Sequence, residues 1–566
     1  MSLLPQSQPI QVIHLHGSES EIGRQHAEQT RTSALTGMAT FYYDFWRRMS
    51  QSPSSDFLEK VLHRIGVYFI DPILVRRLMA RVPSFAEERI EGMSQVLALP
   101  YEQLALALVL PDLFPMLQAL ASRLRPRQFV EASFPSLIGC SSFLYSGKTF
   151  LHGRNLDFPG VGYWDRYPII QCIRRRGKIA YLGFASAGVP FGGITGINEA
   201  QISVSLHQHY CRESTLHGSL PFLIAEEILS EARSLDDALT ILKNHRVSTS
   251  WAFIVTDGKA KEGFVFECHP NACGVRFLRR DRGDVLSHSN YFQTEECRPS
   301  EYATSARMNW DNYYRKTRLE SLVKAHGEAF DAETAVKCIS DHFDPFWGEE
   351  KVFNRTVSQV FNIQSLVLDP SQMRGWMASG TAPVHLNQYE EFDLGEIFSG
   401  REGRVGKQYP GFRFQDESLR EAKQHYIAGF VAAFDGKLDL ALASVEMALQ
   451  KAFIAEAAQV AGVLNLKIGN SEKGLEWLSQ ARAWIEGKCR NRQPFPPEYF
   501  EICLFQSRAF DLLGKRSEAV SGYRELSRHP QLEDSHLRWV ASRETKYTKK
   551  QLTKLVLPFA TYVPFE

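Results

Sequence analysis

The spacing of apolar residues changes twice along this chain, and the two changes limit the folds that it can adopt. Up to residue 139 the pattern is mostly helical, with helices predicted at 84–98 and 101–123. After Pro135 the chain turns to short alternating runs that end in Gly-containing turns, the pattern of an antiparallel meander. From about Asp416 it is helical again. We therefore predict an α+β protein with helices packed on antiparallel sheets and a helical C-terminal region.

Individual elements follow from the same patterns. Residues 9–16 alternate like a strand, and Ser18 with Glu21 forms a capping box for a helix that runs toward Arg48. A further helix is predicted at 59–77. Later helices are predicted at 221–244, 312–325 and 332–342, and strands at 141–145, 149–155, 169–175, 180–184, 201–207, 252–255, 263–268, 274–278, 284–287 and 357–368.

The C-terminal region contains three similar segments, which begin at Gly436, Gly469 and Gly514. The first interval is 33 residues, as in tetratricopeptide-like helix pairs, and the second is 45, so the array is irregular. An ordinary helical bundle is the alternative. A polar, Gly-rich run at 399–406 is predicted to be a linker.

Composition excludes several classes of partner. Lys and Arg number 65 and Asp and Glu 64, so there is no electrostatic reason to expect nucleic acid or an anionic membrane as a partner. The most apolar stretch, 104–117, is interrupted by prolines and an aspartate and is too short to span a bilayer. The nine cysteines lack paired spacing, which favours a reducing compartment. Without a visible secretory signal in residues 1–15, we expect a cytoplasmic protein.

Cys140 is the strongest candidate for chemistry. It follows Gly139 and precedes two serines, and an Arg154/Asp157 pair lies one hairpin downstream. This arrangement suits an enzyme that cuts its own backbone between Gly139 and Cys140 to expose an N-terminal thiol, because the freed α-amine then provides a base on the same residue. A buried, inert cysteine is the alternative interpretation of Cys140. Gly139 argues against it, since glycine tolerates the strained backbone that an N-to-S acyl shift needs.

Four motifs carry a resemblance to a known family: Gly-Cys-Ser-Ser-Phe at 139–143, Gly-Arg-Asn-Leu-Asp-Phe at 153–158, Gly-Ile-Asn-Glu at 196–199 and Ser-Asn-Tyr-Phe at 289–292. In this order they resemble the acyl-coenzyme A:6-aminopenicillanic-acid acyltransferase family of N-terminal-nucleophile (Ntn) hydrolases, which is related to choloylglycine hydrolases and acid ceramidases. The resemblance spans about residues 9–390. It implies an αββα sandwich of two antiparallel sheets, with 1–139 as a helical propeptide or α-chain whose first strand joins the sheet and 140–400 as the catalytic core. The spacing of the C-terminal segments predicts 401–566 as a tetratricopeptide-like domain.

The resemblance also implies roles for single residues. Asp157 would fix the N-terminal amine, and Arg154 would lie beside the thiol and lower its pKa. Asn290, and less firmly Asn198, would stabilise the oxyanion, although both asparagines also suit ordinary turns. A second arginine is expected from the helix after Asn290. Arg318 is the preferred candidate, with Arg307 and Arg315 as competitors.

These residues predict a self-processing cysteine amidohydrolase or N-acyltransferase that acts on linear amide bonds through an S-acyl enzyme. Its substrate would be a small-molecule acyl amide or acyl thioester; no cofactor is expected, although a coenzyme A thioester could be a substrate. One alternative is an esterase or phospholipase-like acyl hydrolase on the same scaffold. Another is a non-catalytic protein whose helical repeats bind a protein partner. Neither Cys268-His269 with Cys273 and Cys297 nor His207-x-His209 has the spacing of a zinc site, so no metal is expected.

Overall fold

The computed structural model describes residues 6–42, 77–124, 139–158, 160–278, 284–301, 306–352, 354–489, 494–533 and 535–546. The predicted continuation of the first helix beyond residue 42 and the predicted helix at 59–77, apart from its last residue, lie outside the described residues.

Two large sheets form the centre of the molecule. Their strands are β1 (Gln11–Gly17), β2 (Gly139–Ser146), β3 (Phe150–Asp157), β4 (Pro168–Arg175), β5 (Tyr181–Ser186), β6 (Thr195–Asn198), β7 (Ile202–Gln208), β8 (Trp251–Asp257), β9 (Glu262–His269), β10 (Ala272–Phe277), β11 (Asp284–His288), β14 (Asn362–Asp369), β15 (Arg374–Ala378), β16 (Gln388–Asp393) and β17 (Arg404–Pro410). A separate hairpin holds β12 (Phe343–Asp344) and β13 (Glu349–Glu350). The first sheet has the strand order β1-β4-β5-β6-β7-β8-β9-β10, and the second has the order β11-β2-β3-β14-β15-β16-β17.

Helices cover the outer faces of both sheets. The described helices are α1 (Glu19–Thr36), α2 (Ser84–Leu97), α3 (Tyr101–Leu124), α4 (Pro221–Glu231), α5 (Leu235–Asn244), α6 (Ala306–His326), α7 (Ala332–Ile339), α8 (Leu394–Phe398), α9 (Glu417–Phe434), α10 (Leu438–Lys451), α11 (Ala455–Lys467), α12 (Ser471–Cys489), α13 (Pro497–Leu512), α14 (Arg516–Arg528) and α15 (His536–Glu544). Helices α1, α4 and α5 pack on the first sheet, and α6 and α7 pack on the second, while β2 and β7 meet between the sheets. The predicted α+β sandwich is confirmed.

The first strand joins the core sheet, but in an orientation that the meander pattern does not contain. β1 pairs with β4 in parallel, whereas all other described strand pairs within the two sheets are antiparallel. A parallel neighbour needs a long connection, and more than 100 residues separate β1 from β4 in sequence. The capping box at Ser18 and Glu21 is present and begins α1 directly after β1.

The hairpin of β2 and β3 places the sequence motifs opposite each other. Gly139 pairs with Asp157, and Ser142 pairs with Arg154. Gly153 permits this close pairing, because a Cβ atom at this position would lie 2.1 Å from the ring of Phe143.

The second sheet continues further than the sequence pattern predicts. Strands β15, β16 and β17 follow β14, and β17 is an antiparallel edge strand paired with β16. The run at 399–406 is therefore the turn and first residues of a strand, and the chain leaves the sheet only after Pro410. Its exposed, glycine-rich composition reflects an edge strand, which needs no apolar face on its solvent side.

The C-terminal region consists of consecutive packed helices. Gly436, Gly469 and Gly514 adopt left-handed φ angles of 75°, 88° and 79°. They end α9, α11 and α13, and at each the next helix starts within two residues. The three similar segments in the sequence are thus the turns of three helix pairs.

Buried ion pairs fasten this helical region to the sandwich. The guanidinium group of Arg355 bonds Glu498 of α13 through Nη1 and Nη2, at 3.1 and 2.9 Å. Its Nε donates to Asp344 at 3.0 Å, and Lys351 pairs with Glu456 of α11. These side chains are almost inaccessible to solvent, so the two regions share one desolvated interface.

Candidate active site

Cys140 lies at the start of β2, where polar side chains form hydrogen bonds with its backbone. Its side chain is buried, with 1% of the residue exposed. The backbone N–H of Cys140 donates to Oδ1 of Asn290 at 2.7 Å, and its carbonyl oxygen accepts from Nη1 of Arg315 at 2.6 Å. The peptide groups on both sides of this cysteine are therefore held by side chains from elements that lie far away in sequence.

Two opposing influences act on the Cys140 thiol. Burial raises its pKa, and the neighbouring Arg154, through its charge and a hydrogen bond, lowers it. Asp157 raises this pKa further, and Arg315 lowers it. Arg154 is completely buried, and its Nη2 donates to the carbonyl oxygen of Leu206 at 2.7 Å, which fixes the guanidinium group beside the thiol. As an internal residue, Cys140 is thus a desolvated thiol with two cations nearby, of which Arg154 has the larger effect.

Asp157 faces the peptide that precedes Cys140. A Cβ atom on Gly139 would lie 3.2 Å from Cβ and 3.3 Å from Oδ2 of Asp157. Oδ1 accepts from Nδ2 of Asn362 at 2.9 Å, whereas the buried Oδ2 accepts no hydrogen bond from any described residue. Burial raises the pKa of Asp157 to about 6, against the opposing effects of Arg315, Asn362 and Arg154. One carboxylate oxygen is therefore available next to the Gly139 backbone.

Asn290 occupies the position that the motif predicts, but its contacts differ from those predicted. Its Oδ1 takes the Cys140 N–H, and Arg315 also donates to this oxygen at 3.2 Å. One hydrogen of its Nδ2 goes to the carbonyl oxygen of Gln208 at 2.9 Å. Asn290 thus holds the nitrogen of Cys140, which the sequence interpretation gave to Asp157, and one amide hydrogen remains for an oxyanion.

Arg315, and not the preferred Arg318, reaches Cys140. Arg318 is a quarter exposed and forms a salt bridge with Asp341 at 2.9 Å. Arg307 extends toward α13, where it pairs with Glu501 at 3.2 Å. The helical period explains the difference, because Arg315 shares the buried face of α6 with Leu319, whereas Arg318 projects from another face.

Asn198 lies in the other sheet, and its side chain is used there. Its Nδ2 donates to the carbonyl oxygens of Leu229 and Ala232, at 3.1 and 2.8 Å. Its Oδ1 accepts from the N–H of Ile202 at 2.9 Å. These three bonds tie the β6–β7 turn to the end of α4, so the turn interpretation of Asn198 accounts for its whole amide group.

Three polar residues of the site were not identified from the sequence. Asn312 donates to the carbonyl oxygen of Asn290 at 3.1 Å and accepts from Arg315. Gln208 and Asn362 support Asn290 and Asp157, as described above. Asn312 could have been found from its spacing, since it lies three residues before Arg315 on the buried face of α6.

No three His, Cys, Asp or Glu side chains among the described residues are grouped so that they could hold a metal ion. No described helix is long and apolar enough to cross a membrane.

The chain was compared with protein families and with curated proteins. No curated protein matches the chain. Residues 145–382 match the model of the family described as "Acyl-coenzyme A:6-aminopenicillanic acid acyl-transferase". The match contains Arg154, Asp157, Asn290 and Arg315 and begins five residues after Cys140. The resemblance of the sequence motifs to this family is thereby confirmed over this segment, since residues 145–382 match the model of the acyl-coenzyme A:6-aminopenicillanic acid acyl-transferase family.

Proposed function

We propose that this chain is a self-processing cysteine hydrolase or acyltransferase of the Ntn type, which cleaves its own backbone between Gly139 and Cys140 and then acts on linear amide bonds. The family match supports an enzyme of acyl transfer or amide hydrolysis. The observation that carries the finer proposal is the set of contacts around Cys140: Arg154 at the thiol, Asn290 at the nitrogen and Asp157 against Gly139. An inert core cysteine needs none of these partners.

In the first stage, the sulfur of Cys140 attacks the carbonyl carbon of Gly139. The Gly139–Cys140 C–N bond breaks, the nitrogen takes up a proton, and a thioester joins Gly139 to the sulfur. Water then hydrolyses the thioester to give a Gly139 carboxylate and a free Cys140 thiol. Asp157, which pairs with Gly139 in the β2–β3 register and packs against it, supports this stage, since an anionic carboxylate close to the scissile peptide stabilises the ammonium group that forms.

In the second stage, the new α-amine, directly or through water, takes the thiol proton, and the thiolate attacks the carbonyl carbon of an amide substrate. The C–N bond of the substrate breaks, the amine leaves with the proton, and an S-acyl enzyme remains. We assign the remaining amide hydrogen of Asn290 to the oxyanion of the tetrahedral intermediate. Water completes hydrolysis, whereas an amine or a coenzyme A thiol completes acyl transfer.

The test is the intact mass of the purified protein under denaturing and reducing conditions. Wild type is expected to give two pieces, residues 1–139 and 140–566, and Cys140→Ala a single full-length chain. Cys172→Ala is the matched control, because Cys172 is equally buried in β4, and it is expected to cleave like wild type. A folded wild-type protein that stays at full length contradicts self-processing. If cleavage occurs, N-acyl amide substrates are tested next against the processed protein.

A further inference from the structure

Two consecutive residues of helix α3, Pro111 and Asp112, bind the end of strand β7 and the strand beside it. The carbonyl oxygen of Pro111 accepts from Nε2 of Gln208 at 2.5 Å. The carboxylate of Asp112 accepts from Nε1 of Trp251 at 3.2 Å, and Trp251 lies opposite Gln208 in the β7–β8 register. All four residues are buried, so the two contacts form one desolvated junction between α3 and the first sheet.

The bond between Pro111 and Gln208 depends on a second proline in the helix. In an α-helix, the carbonyl oxygen of residue 111 accepts from the backbone N–H of residue 115. Residue 115 is a proline inside α3 and has no N–H. A buried carbonyl oxygen without a donor is costly. The Gln208 side chain therefore supplies the donor that Pro115 cannot provide.

Gln208 is also the residue that holds Asn290. Strand β7 extends beyond the part that pairs with β6. In this extension the carbonyl oxygens of two residues accept from side chains of the candidate site: Leu206 accepts from Arg154 at 2.7 Å, and Gln208 accepts from Nδ2 of Asn290 at 2.9 Å. Oδ1 of Asn290 in turn accepts from the Cys140 N–H at 2.7 Å. The position of this strand end thus sets the position of two side chains at Cys140.

Three hydrogen bonds of 2.5, 2.9 and 2.7 Å therefore lead from α3 through Gln208 and Asn290 to the nitrogen of Cys140. We propose that Gln208 is a positioning residue of the Cys140 site: its side chain, held by the Pro111 carbonyl group, fixes the backbone carbonyl that orients the Asn290 amide. The inference rests on the proposed self-processing at Cys140. It gives α3, which precedes the proposed cleavage point, a part in the reaction.

The expected consequence is slower self-cleavage when the bond to α3 is removed. Gln208→Met removes this bond and keeps an unbranched side chain of similar length. The end of β7 is then held less firmly, so Asn290 keeps the Cys140 nitrogen in the reactive position for less of the time. Since the free energy of one such hydrogen bond corresponds to about a tenfold change in rate, cleavage should be about tenfold slower. The Pro111 carbonyl oxygen also loses its donor, so the variant should unfold at a lower urea concentration.

A second substitution separates positioning from stability. Pro115→Ala returns an N–H to the helix, and this N–H can satisfy the Pro111 carbonyl oxygen in place of Gln208. The double variant Gln208→Met, Pro115→Ala should therefore recover the wild-type urea midpoint, whereas its cleavage should stay about tenfold slower than that of wild type. Pro115→Ala alone should cleave at the wild-type rate, because a carbonyl oxygen has two lone pairs and can accept both bonds.

The experiment follows the loss of full-length chain by gel electrophoresis after synthesis in a cell-free translation reaction is stopped. Urea unfolding is measured for the same substitutions in a Cys140→Ala background. Gln171→Met is the matched control, since Gln171 is a buried glutamine of β4 whose Nε2 donates to the carbonyl oxygen of Val189 at 3.1 Å. It should also lower the urea midpoint, but it should cleave at the wild-type rate.

Three results would overturn the inference in different ways. If wild type and Gln208→Met cleave equally fast, Gln208 has no positioning role and the proposed function stands. If the double variant recovers the wild-type cleavage rate together with its stability, Gln208 acts through stability alone; this comparison also carries the test if Gln208→Met by itself does not fold. If wild type is not cleaved, the proposed function falls and the inference falls with it.

Discussion

Replacement of Asp157 by asparagine should change how the stability of the sandwich depends on pH. Burial raises the pKa of Asp157 to about 6, and the reference value is about 3.9. Each pKa unit corresponds to about 1.4 kcal/mol, so keeping this carboxylate ionised costs the folded state about 3 kcal/mol at high pH. The free-energy cost of an ionised carboxylate beside Gly139 is therefore a large fraction of the unfolding free energy of an ordinary domain.

The direction of the effect follows from proton binding. Between about pH 4 and pH 6 the folded state binds more protons at Asp157 than the unfolded state does, so this residue makes stability fall as the pH rises through that window. Asparagine has no charge to lose. The unfolding free energy of Asp157→Asn, measured relative to that of its parent, should therefore rise by about 1.5 kcal/mol as the pH increases from 5 to 8. The amide N–H that replaces Oδ2 lacks an acceptor, which costs about 1–3 kcal/mol at every pH and leaves this slope unchanged.

The assay is urea unfolding at pH 5, 6, 7 and 8 in a Cys140→Ala background, so that cleavage does not alter the chain. The quantity compared is the difference in unfolding free energy between Asp157→Asn and its parent, for the transition that the two proteins share. Asp439→Asn is the control, because Asp439 is exposed in the first turn of α10 and should leave the pH dependence unchanged. Parallel stability curves for Asp157→Asn and its parent from pH 5 to pH 8 would refute the assignment of a raised pKa.

Three further predictions concern stability, and each is checked by urea unfolding of the variant and its parent. Arg355→Met should lower the unfolding free energy by about 3–5 kcal/mol, because it leaves the buried Glu498 carboxylate without its bidentate partner. The double variant with Glu498→Gln should recover part of this loss. An equal loss in the single and double variants would contradict the pairing. Gly153→Ala should lower the unfolding free energy by about 1–3 kcal/mol, since the new methyl group collides with the ring of Phe143. Unchanged stability would show that the backbone or the ring can shift to accommodate the methyl group. Ser18→Ala should cost about 1 kcal/mol through loss of the capping box of α1, and a cost that persists in full in a Ser18→Asp variant would exclude the cap as its cause.

The candidate site shows which contacts local sequence can predict. Arg154 and Asp157 were identified because they share a hairpin with Cys140, and the antiparallel register of β2 and β3 then brings them to the cysteine. Asn290 was identified from its motif alone, and its contact with the Cys140 nitrogen spans 150 residues of chain. The sequence could not specify which atom of Asn290 faces Cys140, because this depends on the carbonyl oxygen of Gln208, which accepts from Nδ2 of Asn290 and leaves Oδ1 to accept from the Cys140 N–H.

Arg318 illustrates the limit of this kind of prediction. The family resemblance implies that an arginine from the helix after Asn290 reaches the site, but which arginine does so depends on which face of α6 is buried against the second sheet. The extent of the second sheet is a similar case. Edge strand β17 is polar, and nothing in its composition distinguishes it from a linker until β16 pairs with it.

By itself, the sequence determined most of the order of helices and strands up to β14, the Gly139-Cys140 motif and its hairpin partners, since these depend on periodicity and on neighbours close along the chain. Only the tertiary structure decided that Arg315 binds the Cys140 carbonyl oxygen and that burial raises the pKa of Asp157 to about 6. The physical reason is that burial and charge pairing depend on groups that are far apart in sequence, and the packing of the sheets and helices sets the distances between them.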